Sequence, residues 1–109
     1  MEPCFNLWIE HRGVVVLSEW RVQLLETIDE TGSISAAAEK MAVTYHRAWE
    51  KVHEMEEGLG ARLIDAQAGG AGGGGATLTA KGKELIKKFR LFDSGLAELI
   101  DRRFHSAFD

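Results

Sequence analysis

Tyr45, His46 and Arg47 stand in a row within "VTYHRAWEKVHEMEEGLG", residues 43–60, and each side chain can donate a hydrogen bond. An arginine can bond the O6 and N7 acceptors of guanine with two donors at once, while tyrosine and threonine hydroxyls can reach phosphate oxygens. Catalysis and metal binding find less to work with. His53-Glu54-Met55-Glu56-Glu57 opens like the zinc motif H-E-x-x-H but has Glu57 where the second histidine belongs. His46 and His53 are seven positions apart with no third ligand evident, so surface histidine is the plainer reading. Gly70 to Gly75, "GAGGGG", matches the dinucleotide fingerprint G-x-G-x-x-G. That fingerprint works only between a strand and a helix, and here a strand-like "ATLT" comes next. No nucleophile has a plausible base and orienting acid. No enzyme activity, metal site or cofactor is expected.

Something must hold the three donors outward. Ala48, Val52, Met55 and Leu59 repeat at helical spacing, which predicts a helix from its cap, Thr44, to about Glu57 with that stripe inward. His46, Arg47, Glu50, Lys51 and His53 then point elsewhere. Just upstream, "SISAAAEKM" predicts a short helix capped by Ser33 or Ser35, whose Ala36, Ala37 and Ala38 carry almost no bulk. Small residues let one helix lie close over the next, as in a helix-turn-helix whose second helix enters the major groove N-terminus first. In that reading Thr44, Tyr45, His46 and Arg47 lie nearest the bases, and Lys51 contacts phosphate or is a solvated charge. A three-helix core with a merely solvated face remains the alternative from the pattern alone.

The flanks complete the architecture. "FNLWIE" (5–10) and "VVVL" (14–17) predict a hairpin turning at Gly13, and Ser18 caps a helix over 19–30 that Gly32 ends. Arg62 to Gln67 and Ala76 to Leu78 predict a second hairpin with a glycine-rich tip, 62–78 in all. A tip free of side chains can bring backbone N–H groups against phosphates. Thr79 caps a final helix over 79–105, whose Leu85, Phe89, Phe92, Leu96 and Leu99 step by four, three, four and three. Such a heptad seam wants a partner helix, and Ser94-Gly95 could bend or break it. The fold class is therefore α+β, mainly helical, in a single domain over 1–109.

Composition sets limits. One hundred and nine residues with 45% apolar and 28% charged side chains suit one modest core. No run nears the ~20 apolar residues of a membrane span, and no secretion signal opens the chain, so a cytoplasmic location is expected. Cys4 is the lone cysteine, which excludes an internal disulfide. The net charge of -4 is unusual for a nucleic-acid binder, although Lys81, Lys83, Lys87, Lys88 and Arg90 cluster against the single acid Glu84.

The stretch "LLETIDETGSISAAAEKMAVTYHRAWEKVHEMEEGLGARLI" resembles the LysR-type winged helix-turn-helix. "YHRAW" and "GGAGGGGATLTAKG" are more specifically similar to the N-terminal DNA-binding domain of the ModE family of molybdate-responsive transcription regulators. The resemblance runs from about Asn6 to Arg90. It implies a homodimer that binds the two halves of an operator in double-stranded DNA, at genes linked to molybdate transport or molybdenum enzymes. It also implies that Ser35, Thr44, Tyr45, His46, Arg47 and Trp49 lie at or near DNA, with Gly70, Gly72 and Gly73 in the wing. Trp49 sits one position from the inward stripe, so core and groove wall are both open to it. The family's molybdate-binding domains are C-terminal and the chain ends at Asp109, which leaves a stand-alone DNA-binding member or a fragment of a longer protein, with no oxyanion cofactor of its own expected. "DRRFHSAFD" is not an obvious domain linker, which favours the stand-alone reading. A dimerisation or protein-interaction module on the same fold, without DNA affinity, is the rival that the acidic balance favours.

Overall fold

The computed structural model describes residues 1–67 and 74–109. The chain opens with an antiparallel hairpin, β1 (Trp8–His11) and β2 (Val14–Ser18). Arg12 and Gly13 form its two-residue turn, with φ of 53° and 82°. Two consecutive positive φ values suit the strand twist and favour glycine, so Arg12 is the residue that bears strain. The strand begins later than "FNLWIE" suggests, and Phe5 is exposed ahead of it. A register shift pairs Ile9 with Leu17 but Glu10 with Val15. Val16 is the extra residue, and the bulge lets Val16 and Leu17 both face the core.

Helix α1 (Glu19–Thr31) is the central element, burying Val22, Leu24, Leu25, Thr27 and Ile28. Ser18 caps it by accepting from the Arg21 N–H, and Gly32 (φ 83°) ends it by donating to the Ile28 carbonyl. Helices α2 (Ile34–Lys40) and α3 (Tyr45–Leu59) come next, joined by a turn in which Ala42 takes φ 56°. Ser33, not Ser35, caps α2, accepting from the Ala36 N–H. Ala37, Ala38 and Ala48 are buried, so the small side chains do let α2 settle onto its neighbours.

The second hairpin pairs β3 (Ile64–Ala66) with β4 (Ala76–Leu78) in antiparallel register, Ile64 with Leu78 and Ala66 with Ala76. Thr79 joins it to the next helix: its hydroxyl donates to the Arg62 carbonyl at 2.7 Å and accepts from the Gly82 N–H at 3.0 Å. Helix α4 (Ala80–Asp93) packs so closely here that a Cβ on Gly82 would come within 2.5 Å of the Leu63 carbonyl oxygen. The C-terminal helical stretch then divides. Ser94 is extended and Gly95 takes φ 80°, so α5 (Leu96–Phe108) starts on a new axis. None of its residues is buried, and the molecule extends 60 × 28 × 21 Å. These elements make a winged helix-turn-helix with an N-terminal hairpin and a C-terminal helical arm.

The core corrects one expectation. Phe89, assigned by its heptad step to the dimer seam, is 2% exposed and fills the subunit's own interior with Leu24, Leu25, Ile28 and Leu63. Heptad spacing marks a face of the helix but not what covers it, and here α1 covers that part of α4.

Candidate nucleic-acid interface

The N-terminal turn of α3 projects from the body because the opposite stripe, Ala48, Val52 and Met55, is fully committed to the core. Thr44 caps this turn, its hydroxyl accepting from the Arg47 N–H at 3.1 Å, and its O–H proton can still be given outward. Tyr45 is 54% exposed, and the His46 side chain 79%. Arg47 is exposed too, with its guanidinium 5.9 Å from the Trp20 ring centroid. Trp20 therefore adds an α1 residue to this surface. Only the tertiary fold reveals this cation partner, since Trp20 and Arg47 lie on different helices.

Trp49 lies between the two fates left open for it. It is 40% exposed and stacks on His53, with ring centroids 3.8 Å apart and an interplanar angle of 25°. His53 is oriented by a 2.8 Å hydrogen bond from its Nδ1–H to the Trp49 carbonyl. A hollow of about 130 Å³ separates this pair from the wing, lined by Tyr45, Trp49, Ile34, Val52, Arg62 and Ile64 among others. Ser35 is exposed on the first turn of α2, and it lines a second gap with Tyr45 and Gly75.

Lys51 departs from the expected set. Its side chain is only 22% exposed and its Nζ lies 3.3 Å from the Glu54 carboxylate, on the flank of α3 that faces α1. Arg21 reaches the same carboxylate at 3.0 Å. Burial alone would raise the Glu54 pKa. The hydrogen bonds and charges of Arg21 and Lys51 outweigh that and hold it below the ordinary carboxylate range. This cluster braces α3 against α1 and keeps Lys51 away from the outward surface.

Gly70, Gly72 and Gly73 lie outside the described residues. The wing's base is well defined. Glu56 accepts from the backbone N–H groups of Leu63 and Ile64 at 2.8 and 3.2 Å, and the Ala76 N–H donates to the Gly32 carbonyl at 2.7 Å. The hairpin is thereby tied to both α3 and the end of α1. Strand β4 begins directly after the glycine run, so the strand-to-helix context of a dinucleotide fingerprint is missing.

The basic stretch is less free than its count suggests. Arg90 bonds Glu26 and Glu19, and those bonds push its pKa above the ordinary arginine value. Lys88 and Lys81 share Glu84, whose carboxyl is lowered first by the hydrogen bond from Lys88. Of the heptad positions, Phe92 is 55% exposed, and Leu85, Leu96 and Leu99 are half-buried. Among the described residues, no helix is long and apolar enough to cross a membrane, and no group of three His, Cys, Asp or Glu could hold a metal ion.

Comparison with known proteins bears on this arrangement. The model of the lysR family of bacterial regulatory helix-turn-helix proteins matches residues 21–83. The molybdenum-pterin-binding protein MopB of Rhodobacter capsulatus is 41% identical over 95 residues, which cover 82% of this chain and 35% of that protein. The DNA-binding transcriptional dual regulator ModE of Escherichia coli (strain K12) is 37% identical over 84 residues, 77% of this chain and 30% of that one. The chain thus spans about a third of the length of the curated relatives it matches. Among solved structures, a CbnR DNA-binding domain–DNA complex superposes with a TM-score of 0.63 at 22% identity, covering 81% of this chain and 95% of that one. A BenM DNA-binding domain with benA site 1 DNA gives 0.59 at 17% identity, covering 82% and 94%. These last likenesses establish the fold.

Proposed function

The chain belongs to the lysR family of bacterial regulatory helix-turn-helix proteins, and from that premise we propose that it binds operator DNA as a homodimer and regulates transcription. The observation that carries this reading is the outward N-terminal turn of α3, where Tyr45, His46 and Arg47 are all exposed beside the base of the wing. Turned into the major groove, that end presents a two-donor guanidinium to guanine and hydroxyl groups to phosphates. Ser35 and Trp49 flank it. Two copies joined through the C-terminal arm would offer two such turns to a two-fold operator. Exposed Phe92, Leu91 and Phe108 on α4 and α5 supply apolar surface for that joint.

The finer reading is control of genes for molybdate uptake or molybdenum enzymes, supported by the names of the relatives. Binding by these 109 residues is then expected to be the same with and without molybdate. The test is a gel-shift against DNA from the protein's own promoter at low and moderate salt, with scrambled duplex as competitor. A band that resists the competitor is the expected result. No specific band at any salt would favour the rival, a dimerisation or interaction module, to which the net charge of -4 lends weight.

A further inference from the structure

Four acids lie along α3, and two of them hold other elements in place. Glu54 braces Arg21 and Lys51, and Glu56 holds the start of the wing. Glu57 lines the groove beneath the Arg12 turn, at the far end of α3. Glu50 ties α3 to no other element among the described residues. It lies on the side of α3 opposite Ala48, Val52 and Met55, its side chain is 50% exposed, and its ion-pair partner among the described residues is His46, 3.3 Å away on the same face. Resting on the DNA-binding reading, that position is costly. A carboxylate about 7 Å from a phosphate, even at the dielectric of water, weakens binding about threefold.

We infer that Glu50 is a specificity-determining residue that accepts a hydrogen bond from the exocyclic amine of a cytosine in the major groove. Carboxylates pair there with cytosine N4. Adenine also offers an amine, but its N7 lone pair sits beside it and repels the second carboxylate oxygen, whereas cytosine has a neutral C5–H in that place. Guanine and thymine present acceptors to the same atom and are rejected. His46, one turn earlier, orients the carboxylate so that one oxygen faces the base. The cost is then spent on discrimination: Glu50 lowers affinity for all DNA and restores it at a site with a correctly placed cytosine.

The test uses the whole chain, wild type, Glu50→Ala and Glu50→Gln, with each protein selecting sites from random duplexes. Wild type should select a cytosine at one position of each half-site. Glu50→Ala should bind unselected duplex about threefold tighter, yet discriminate at that position about tenfold less, with other positions unchanged. Glu50→Gln should move the preference there from cytosine to adenine, which glutamine can bond at N6 and N7. Because Glu50 is exposed, unchanged melting temperatures are expected for both variants. A selected site that is identical for all three proteins overturns the inference and leaves the DNA-binding reading intact. Weaker binding of Glu50→Ala to every duplex also overturns it. Failure of wild type to select any site overturns both.

Discussion

Arg47 is positioned before any partner arrives, because the Trp20 ring lies 5.9 Å from its guanidinium and the Thr44 cap fixes the turn that carries it. An arginine ordered in this way loses less side-chain freedom on binding, which favours a base-reading role over a loose phosphate contact. Arg47→Ala should cost roughly 1–3 kcal/mol of binding and relax the preference at one base position. Competition titrations against single-base operator variants check this, and an equal loss on every sequence would reassign the residue to phosphate. Individual residues were unevenly legible from the sequence. The exposure of His46 and Arg47 could be anticipated, because the inward stripe through Ala48, Val52 and Met55 leaves them outside it. Lys51 and Phe89 were misplaced, because periodicity gives the angle of a side chain about its helix and not the neighbour it meets. Lys51 meets Glu54, and Phe89 meets α1.

At the scale of elements, local chemistry wrote most of the boundaries. Ser18, Thr44 and Thr79 each cap the helix that they precede, and Gly32 and Gly60 end helices with positive φ. The bulge at Val16 and the strained Arg12 were not legible, since a run of valines has no alternation to betray a register shift. Equally hidden was the Arg21–Glu54–Lys51 cluster, which depends on α1 and α3 lying side by side. It has a pH consequence. The Glu54 carboxyl is held below its unfolded value of about 4.3, so the contribution to stability is complete above that pH and is lost as pH falls through the folded pKa. Glu54→Gln should therefore lower the melting temperature near neutrality and flatten its decline in acid. Melting curves between about pH 3 and 7 check this, and parallel curves for the two proteins would contradict it.

As a whole molecule, the protein is a packed body with an arm. The body buries one core around α1, while no residue of α5 is fully buried in its own subunit. A helix with Leu96, Leu99, Ile100 and Phe104 along one side, all left half-buried by the subunit, suits a partner surface. The heptad positions divide in the structure: Phe89 serves the subunit's own core, whereas Phe92 on the same helix is exposed and Leu96 and Leu99 on α5 are half-buried, and these three are the proposed association surface. Phe92→Glu should accordingly yield folded monomers with weakened operator binding, whereas Phe89→Glu should unfold the subunit by burying a charge. Sedimentation and far-UV circular dichroism separate these outcomes, and an unchanged dimer mass for Phe92→Glu would remove it from the interface. In the dimer, the two α3 turns are expected about 34 Å apart or a multiple of it, one helical repeat of DNA.

The central claim is that the exposed end of α3 is the surface that meets DNA. Amide chemical-shift mapping of the isotope-labelled chain, titrated with its selected duplex, tests it most directly. The largest changes should fall on Ser35, on Thr44 to Trp49 and on the residues flanking the wing tip, with α5 and the N-terminal hairpin little moved. Saturable binding whose changes spare α3 and gather on α5 or the hairpin would contradict it.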